Sequence, residues 1–403
     1  MKISIMPGKA MGTVQAPPSK SMAHRLLMGA GLAKGTSVVK NIELSEDIKA
    51  TLGILKAFGA SYTMNDSVVT VQGIGENVLH TEEILDCRES GSTLRFFLPL
   101  ALTGDEGCTF SGAPRLMERP LGIYEEICRE QGITFEREGT TLHVKGRLSA
   151  GHYRVKGNVS SQFITGLLYT LPLLDGESVL EVIPPIESKA YIEMTMQALK
   201  TFGIRIRQEG NTYYISGNQS YQARCVTVEG DYSNAAFLDA LNVIGGDVNI
   251  EGLVENSLQG DKIYARYFEL LQKENALMDI AECPDLGPIL MGVAAALNGA
   301  IFTGTRRLKI KESDRGTVMA QELAKFGIRV EVFENEIIVH KGILKEPEEM
   351  LSSHNDHRIA MTMATLCTIT GGSIEGAESV RKSYPTYYDV IEKLGIKIER
   401  EEQ

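Results

Sequence analysis

The chain has 403 residues, 43% hydrophobic and 23% charged, which is enough for two or three domains with sizeable cores. A net charge of −11 excludes a global attraction to nucleic acid or anionic membranes, so any anion site must be built locally from clustered Arg and Lys. No apolar run reaches the roughly 18 residues of a membrane span, and six cysteines without a CxxC pair argue for reduced thiols and against a disulfide scaffold or zinc site.

In chain order, Met1–Ile5 lacks the apolar region of a signal peptide and reads as a short strand, so a cytoplasmic protein is expected. Pro17-Pro18-Ser19-Lys20-Ser21 then opens a helix, with Ser19 or Ser21 as cap. Lys20 falls in the first turn, and Arg25 follows a turn or so later. Free N–H groups and the helix dipole already favour anions at that end. A cation there does nothing for helix stability but suits an arriving phosphate. Taken alone, Lys20 is more simply a solvated surface lysine; the rest of the chain decides against that.

Six segments share one pattern, a polar cluster followed by an apolar helical run and Gly: Ser19–Gly35, Ser90–Gly104, Ser160–Gly176, Asp231–Gly246, Asp285–Gly299 and Asn355–Gly372. Successive starts lie about 70 residues apart, with one shorter step of about 54 between Asp231 and Asp285. A second family of helices ends in Gly59, Gly132, Gly203, Gly327 and Gly395, and two-stranded readings follow several of them, as in Ala60–Met64, the turn Asn65-Asp66, and Ser67–Gln72. Each unit therefore reads strand–helix–strand–helix–strand–strand. The predicted architecture is α/β, with two similar domains that are each a threefold assembly of this unit. Residues 15–222 form the first domain. Residues 223–403 form the second, joined by 1–14 if the N-terminal strand belongs there.

The basic residues of interest stand at helix starts. They are Lys20 and Arg25; Arg88, Arg95, Arg115 and Arg119; Lys189; Lys309, Lys311 and Arg315; Arg358 and Lys382. Arg forks and Lys point charges hold phosphates and carboxylates. Ser160-Ser161-Gln162 and Ser188 add neutral donors. The set predicts a pocket for two small anions shared between the halves. Asp285 and Glu312 are carboxylates among these cations, so each is a helix cap or a general base; as a pair beside lysines they favour proton transfer.

Pro18-Ser19-Lys20-Ser21 with Arg25, Glu118-Arg119-Pro120, Ser160-Ser161-Gln162, Lys311-Glu312-Ser313-Asp314-Arg315, Asn355-Asp356-His357-Arg358 and Lys382-Ser383-Tyr384-Pro385 resemble, in order and spacing, the motifs of the 3-phosphoshikimate 1-carboxyvinyltransferase (EPSP synthase) family. The resemblance covers essentially the whole chain. It implies two domains, each a pseudo-threefold, inside-out barrel-like assembly of βαβαββ units, with the active site in the cleft between them. It implies transfer of the enolpyruvyl group of phosphoenolpyruvate to the 5-hydroxyl of shikimate 3-phosphate, with no metal or organic cofactor. By motif, Lys20, Ser21, Arg25, Ser160, Ser161, Gln162, Ser188, Tyr191, Asp285 and Lys311 would bind shikimate 3-phosphate. Lys20, Gly91, Arg119, Gln162, Arg315, Arg358 and Lys382 would bind phosphoenolpyruvate. Asp285 would accept the hydroxyl proton, and Glu312 and Lys20 are the candidates for the proton at the methylene carbon. The chain departs from the family where Arg88-Glu89-Ser90-Gly91-Ser92 replaces the usual Gly-Asn-x-Gly-Thr, and where Arg307 replaces a common Asn.

Two rivals fit less well. The sister transferase acting on UDP-N-acetylglucosamine carries a reactive Cys in the loop before the Arg-Pro pair, whereas Gly112–Glu118 has none and Cys108 lies upstream. A clamp on nucleic acid needs basic residues along a groove with stacking aromatics, and Trp is absent. His354 and His357 stand three apart without a third metal ligand. The expected partners are the two small substrates, with neither nucleic acid nor membrane, and the expected state is a monomer.

Overall fold

Ser19, Ser90, Ser160, Asp231 and Asp356 sit in extended backbone, and each side chain accepts a main-chain N–H two or three residues further on. Each cap satisfies one of the orphan donors of a helix start. The helices therefore begin where the polar clusters end. The computed structural model describes residues 1–75, 79 and 81–401. They divide into two units, 18–229 and 1–17 with 230–403.

The continuous unit holds α1 (Lys20–Leu32), α2 (Glu46–Ala57), α3 (Gly91–Leu100), α4 (Pro114–Glu118), α5 (Gly122–Glu130), α6 (Ser161–Thr170) and α7 (Lys189–Thr201). Helices α1, α3 and α6 are apolar on nearly every face and are buried along almost their whole length, as such helices must be. Helices α2, α5 and α7 keep a solvated face. Among the described residues there are three four-stranded sheets with one shared order. In the first, Thr36–Lys40 runs parallel to Cys225–Thr227 and antiparallel to Val68–Gln72, which pairs on with Ser61–Asn65. Cys108–Ser111 and Ser178–Ile183 hold the same central place in the other two.

The strand Cys225–Thr227 corrects the expected boundary. It supplies the opening strand of the first sheet from the far end of the unit, so residues 223–229 stay with 18–222. At the other boundary, Met11–Gln15 pairs in parallel with Asp247–Glu251, and the split unit keeps the chain through Pro17.

The split unit holds α8 (Tyr232–Val243), α9 (Tyr264–Leu271), α10 (Gly287–Ala296), α11 (Arg315–Lys325), α12 (His357–Thr370) and α13 (Tyr387–Lys393). One sheet repeats the shared order with Ala276–Asp279, Ala300–Thr303, Glu336–Val339 and Val330–Val332. In another, Lys2–Ile5 runs antiparallel between Gly372–Glu375 and Ile398–Glu401. The third has two strands among the described residues, Met11–Gln15 and Asp247–Glu251. The shorter step in the repeat is explained here, since the unit after Asp231 carries α8 and α9 but omits the closing hairpin. Each unit has its own apolar core. No helix among the described residues is long and apolar enough to cross a membrane.

Candidate active site

In the continuous unit Lys20, Ser21, Gly91, Ser160, Ser161, Gln162, Ser188 and Tyr191 stand at the N-terminal turns of α1, α3, α6 and α7, Arg25 lies one turn further into α1, and Arg119 ends α4. Lys20 Nζ lies 2.9 Å from Asp47 Oδ2, so the cation in the first turn already has an anion, contributed by α2. Arg25 is buried, and each of its three guanidinium nitrogens donates a hydrogen bond. Nη1 donates to the Ser21 carbonyl at 2.7 Å, Nε to Thr195 Oγ1 at 2.9 Å, and Nη2 to the Tyr191 carbonyl at 3.0 Å. Its Cζ lies 5.4 Å from the centre of the Phe96 ring and 5.8 Å from that of Tyr191. Burial lowers its pKa to about 10, against the opposing influence of Tyr169 and Tyr191, so it stays charged at neutral pH. Arg25 thus ties α1 to α7.

Arg95 performs the same service between α3 and α6. Nη1 donates to Gln162 Oε1 at 2.6 Å, and Gln162 Nε2 donates to Ser92 Oγ at 3.0 Å. Gly91 is where two guanidinium groups crowd the backbone. A Cβ built on it would stand 2.7 Å from Arg119 Nη1 and 3.1 Å from Arg95 Nη1. Ser160 caps α6, and Ser161 is buried beside it. Ser188 precedes α7 with φ of +58°, and Arg88 precedes α3 with φ of +52°. Left-handed backbone at a non-glycine residue costs about 1–2 kcal/mol.

In the split unit the centre is Arg315, 1% exposed at its side chain. Nη1 donates to Asp285 Oδ1 at 2.8 Å, Nη2 to Glu312 Oε2 at 2.7 Å, and Nε to Asp356 Oδ2 at 2.8 Å. Lys311 Nζ meets Asp285 Oδ1 at 3.0 Å, and Arg358 Nη2 lies 3.6 Å from Oδ2. Burial alone would push the Asp285 carboxyl up, but Lys311, Arg358 and Arg315 together hold it well below the usual carboxylate range. Burial pulls Lys311 down to about 8, although Asp285 opposes it. Lys382 Nζ donates to the Asn355 carbonyl, and both His354 and Asn355 are left-handed, with φ of +48° and +55°.

Asp285 lies in the turn Pro284–Leu286 ahead of α10, a helix without a side-chain cap bond, so the helix-cap reading of this residue falls. Its carboxylate faces cations instead. Arg307 is buried, and Nη1 donates to the Ala281 carbonyl at 3.3 Å. Cys108 is also buried, and burial pushes its thiol up to about 11, the wrong direction for a nucleophile.

Three carboxylates went unsingled by sequence reasoning. Asp47 follows Ser45 and Glu46 and passes for an ordinary first-turn acid. Asp356 was visible only as part of its motif, yet it both caps α12 and grips Arg315. Asp261 is buried and accepts a hydrogen bond from Ser233 Oγ. Burial, and then the charge of Asp285, push it up to about 6.

The sequence model of EPSP synthase (3-phosphoshikimate 1-carboxyvinyltransferase) matches residues 6–391. Proteins named 3-phosphoshikimate 1-carboxyvinyltransferase from Clostridium kluyveri and Clostridium novyi are 39% and 40% identical to the chain. The first alignment covers 98% of both proteins, and the second covers 98% of this chain and 97% of the relative. A solved structure of EPSP synthase from Acinetobacter baumannii superposes with a TM-score of 0.81 at 25% identity, covering 99% of this chain and 100% of that one. With motifs, fold and relatives in agreement, the chain belongs to the EPSP synthase family.

Proposed function

We propose that this chain transfers the enolpyruvyl group of phosphoenolpyruvate to the 5-hydroxyl of shikimate 3-phosphate, releasing phosphate, in the shikimate pathway. The observation that carries this reading is the carboxylate of Asp285 held by Lys311, Arg315 and Arg358, with Glu312 on the same guanidinium. Shikimate 3-phosphate would take Lys20, Ser21, Arg25, Ser160, Ser161, Gln162, Ser188, Tyr191, Asp285 and Lys311. Phosphoenolpyruvate would take Lys20, Gly91, Arg119, Gln162, Arg315, Arg358 and Lys382.

A carboxylate with so low a pKa accepts a hydroxyl proton poorly. Substrate anions remedy this by drawing Lys311 and Arg358 toward themselves, which weakens their hold on Asp285 and raises its basicity. Asp285 then takes the 5-hydroxyl proton as that oxygen attacks C2 of phosphoenolpyruvate, and Glu312 or Lys20 delivers a proton to the methylene carbon. The tetrahedral adduct next loses a proton from the new methyl group and expels phosphate as its C–O bond breaks. The cations stabilise the leaving charge.

The test is phosphate release with both substrates and with each omitted in turn. Release is expected only when both are present; release from either alone, or none from the pair, overturns the reading. A pH profile tests Lys311 separately. Because its pKa in the free enzyme is about 8, kcat/KM is expected to fall as pH rises past that value. Lys311→Arg keeps the charge, so its alkaline limb is expected to move to higher pH. An unmoved limb would show that a group other than Lys311 sets it.

A further inference from the structure

We infer that Glu322, a buried carboxylate in α11 with no part in the roles above, is a positioning residue for Lys382. It clamps the left-handed turn at His354–Asn355, and that turn aims the Asn355 carbonyl at the Lys382 ammonium. The inference rests on the phosphoenolpyruvate role proposed above for Lys382.

Glu322 is 1% exposed, and both its oxygens are occupied. Oε1 accepts from His354 Nε2 at 2.8 Å, Oε2 accepts from the Ser352 N–H at 3.0 Å, and Lys325 Nζ lies 3.0 Å from each. Lys325 also donates to the Met350 carbonyl at 2.9 Å. A buried carboxylate is unfavourable unless fully paired, and an apolar side chain would fill the same place more simply. What the carboxylate adds is a grip on residues 350–354 from a rigid helix.

The held segment needs such a grip. His354 and Asn355 are consecutive non-glycine residues in left-handed backbone, and such conformations persist only where surroundings over-determine them. Two serines complete the constraint. Ser352 Oγ accepts from the His354 N–H at 3.2 Å, and Ser353 Oγ accepts from the Asn355 N–H at 3.2 Å while donating to the Gly376 carbonyl at 2.8 Å. With the turn held, the Asn355 carbonyl receives Lys382, and the next residue, Asp356, caps α12 and holds Arg315. A return of either residue to right-handed or extended backbone would swing that carbonyl away and release the lysine.

The experiment compares the wild type with Glu322→Gln, which keeps shape and removes charge. KM for phosphoenolpyruvate is expected to rise about tenfold while kcat and KM for shikimate 3-phosphate change less than about twofold, the signature of lost ground-state binding at one ligand. In a Lys382→Ala background Glu322→Gln is expected to add nothing, because the two act in series. Asn355→Gly is expected to restore KM in the Glu322→Gln enzyme, since glycine adopts the turn without help. Amide hydrogen exchange of the ligand-free protein is expected to quicken in residues 351–356 and 377–382 alone. Should Glu322→Gln not fold, His354→Gln, at a half-buried side chain, must show the same rise for phosphoenolpyruvate. Equal rises in both KM values, full additivity with Lys382→Ala, or unchanged exchange would each overturn the inference. If instead the wild type releases no phosphate from the two substrates, the functional reading fails, and hydrogen exchange still decides whether the clamp exists.

Discussion

Asp285→Asn is expected to lower kcat by about 10²–10⁴-fold, the usual contribution of a general base. The substitution keeps the shape and removes the group proposed to take the hydroxyl proton. It also strips Lys311 and Arg358 of their shared anion, so substrate phosphates meet less competition for these cations. Binding is therefore expected to weaken little or to tighten while turnover collapses. That pattern separates loss of chemistry from loss of the site. Arg315 keeps Glu312 and Asp356 in this variant, so the split unit stays folded. Single-turnover phosphate release alongside equilibrium binding of shikimate 3-phosphate checks both halves. A kcat close to that of the wild type would end the role assigned to Asp285.

Arg315→Met is expected to have the largest effect on stability. It leaves Asp285, Glu312 and Asp356 facing one another without the guanidinium that all three touch. Removing one partner from a buried ionic cluster destabilises by about 3–5 kcal/mol, because the remaining charges stay desolvated and repel. Arg315→Lys is expected to recover only part of this, since one ammonium cannot fork toward three carboxylates. Urea unfolding of the three proteins reads the order directly. A Met variant as stable as the wild type would show that the cluster is held from elsewhere.

What could be seen in the sequence follows how local each determinant is. The cap at Ser19 and the cations Lys20 and Arg25 after it are neighbours along the chain, so they could be read together. The counter-ions could not. Asp47 reaches Lys20 from the next helix, and Asp356 reaches Arg315 across 41 residues. Neither pairing leaves a periodic trace. The boundary near residue 223 was misplaced for the same reason, because Cys225–Thr227 finds Thr36–Lys40 from the opposite end of its unit. The left-handed turn at His354–Asn355 also escaped reading. Asn and His are both enriched in such backbone, but neither residue by itself marks a turn.

The pairing of Lys2–Ile5 with Ile398–Glu401 sets an order of assembly. The ribosome delivers Lys2–Ile5 long before Gly372–Glu375 and Ile398–Glu401, so the sheet they share is finished only after residues 18–229 have emerged. Among the described residues, 18–229 own every strand of their three sheets, and they are complete before half the split unit has emerged. The chain therefore matures from its middle: Met11–Gln15 waits for Asp247–Glu251, and Lys2–Ile5 waits longer, for Gly372–Glu375 and Ile398–Glu401.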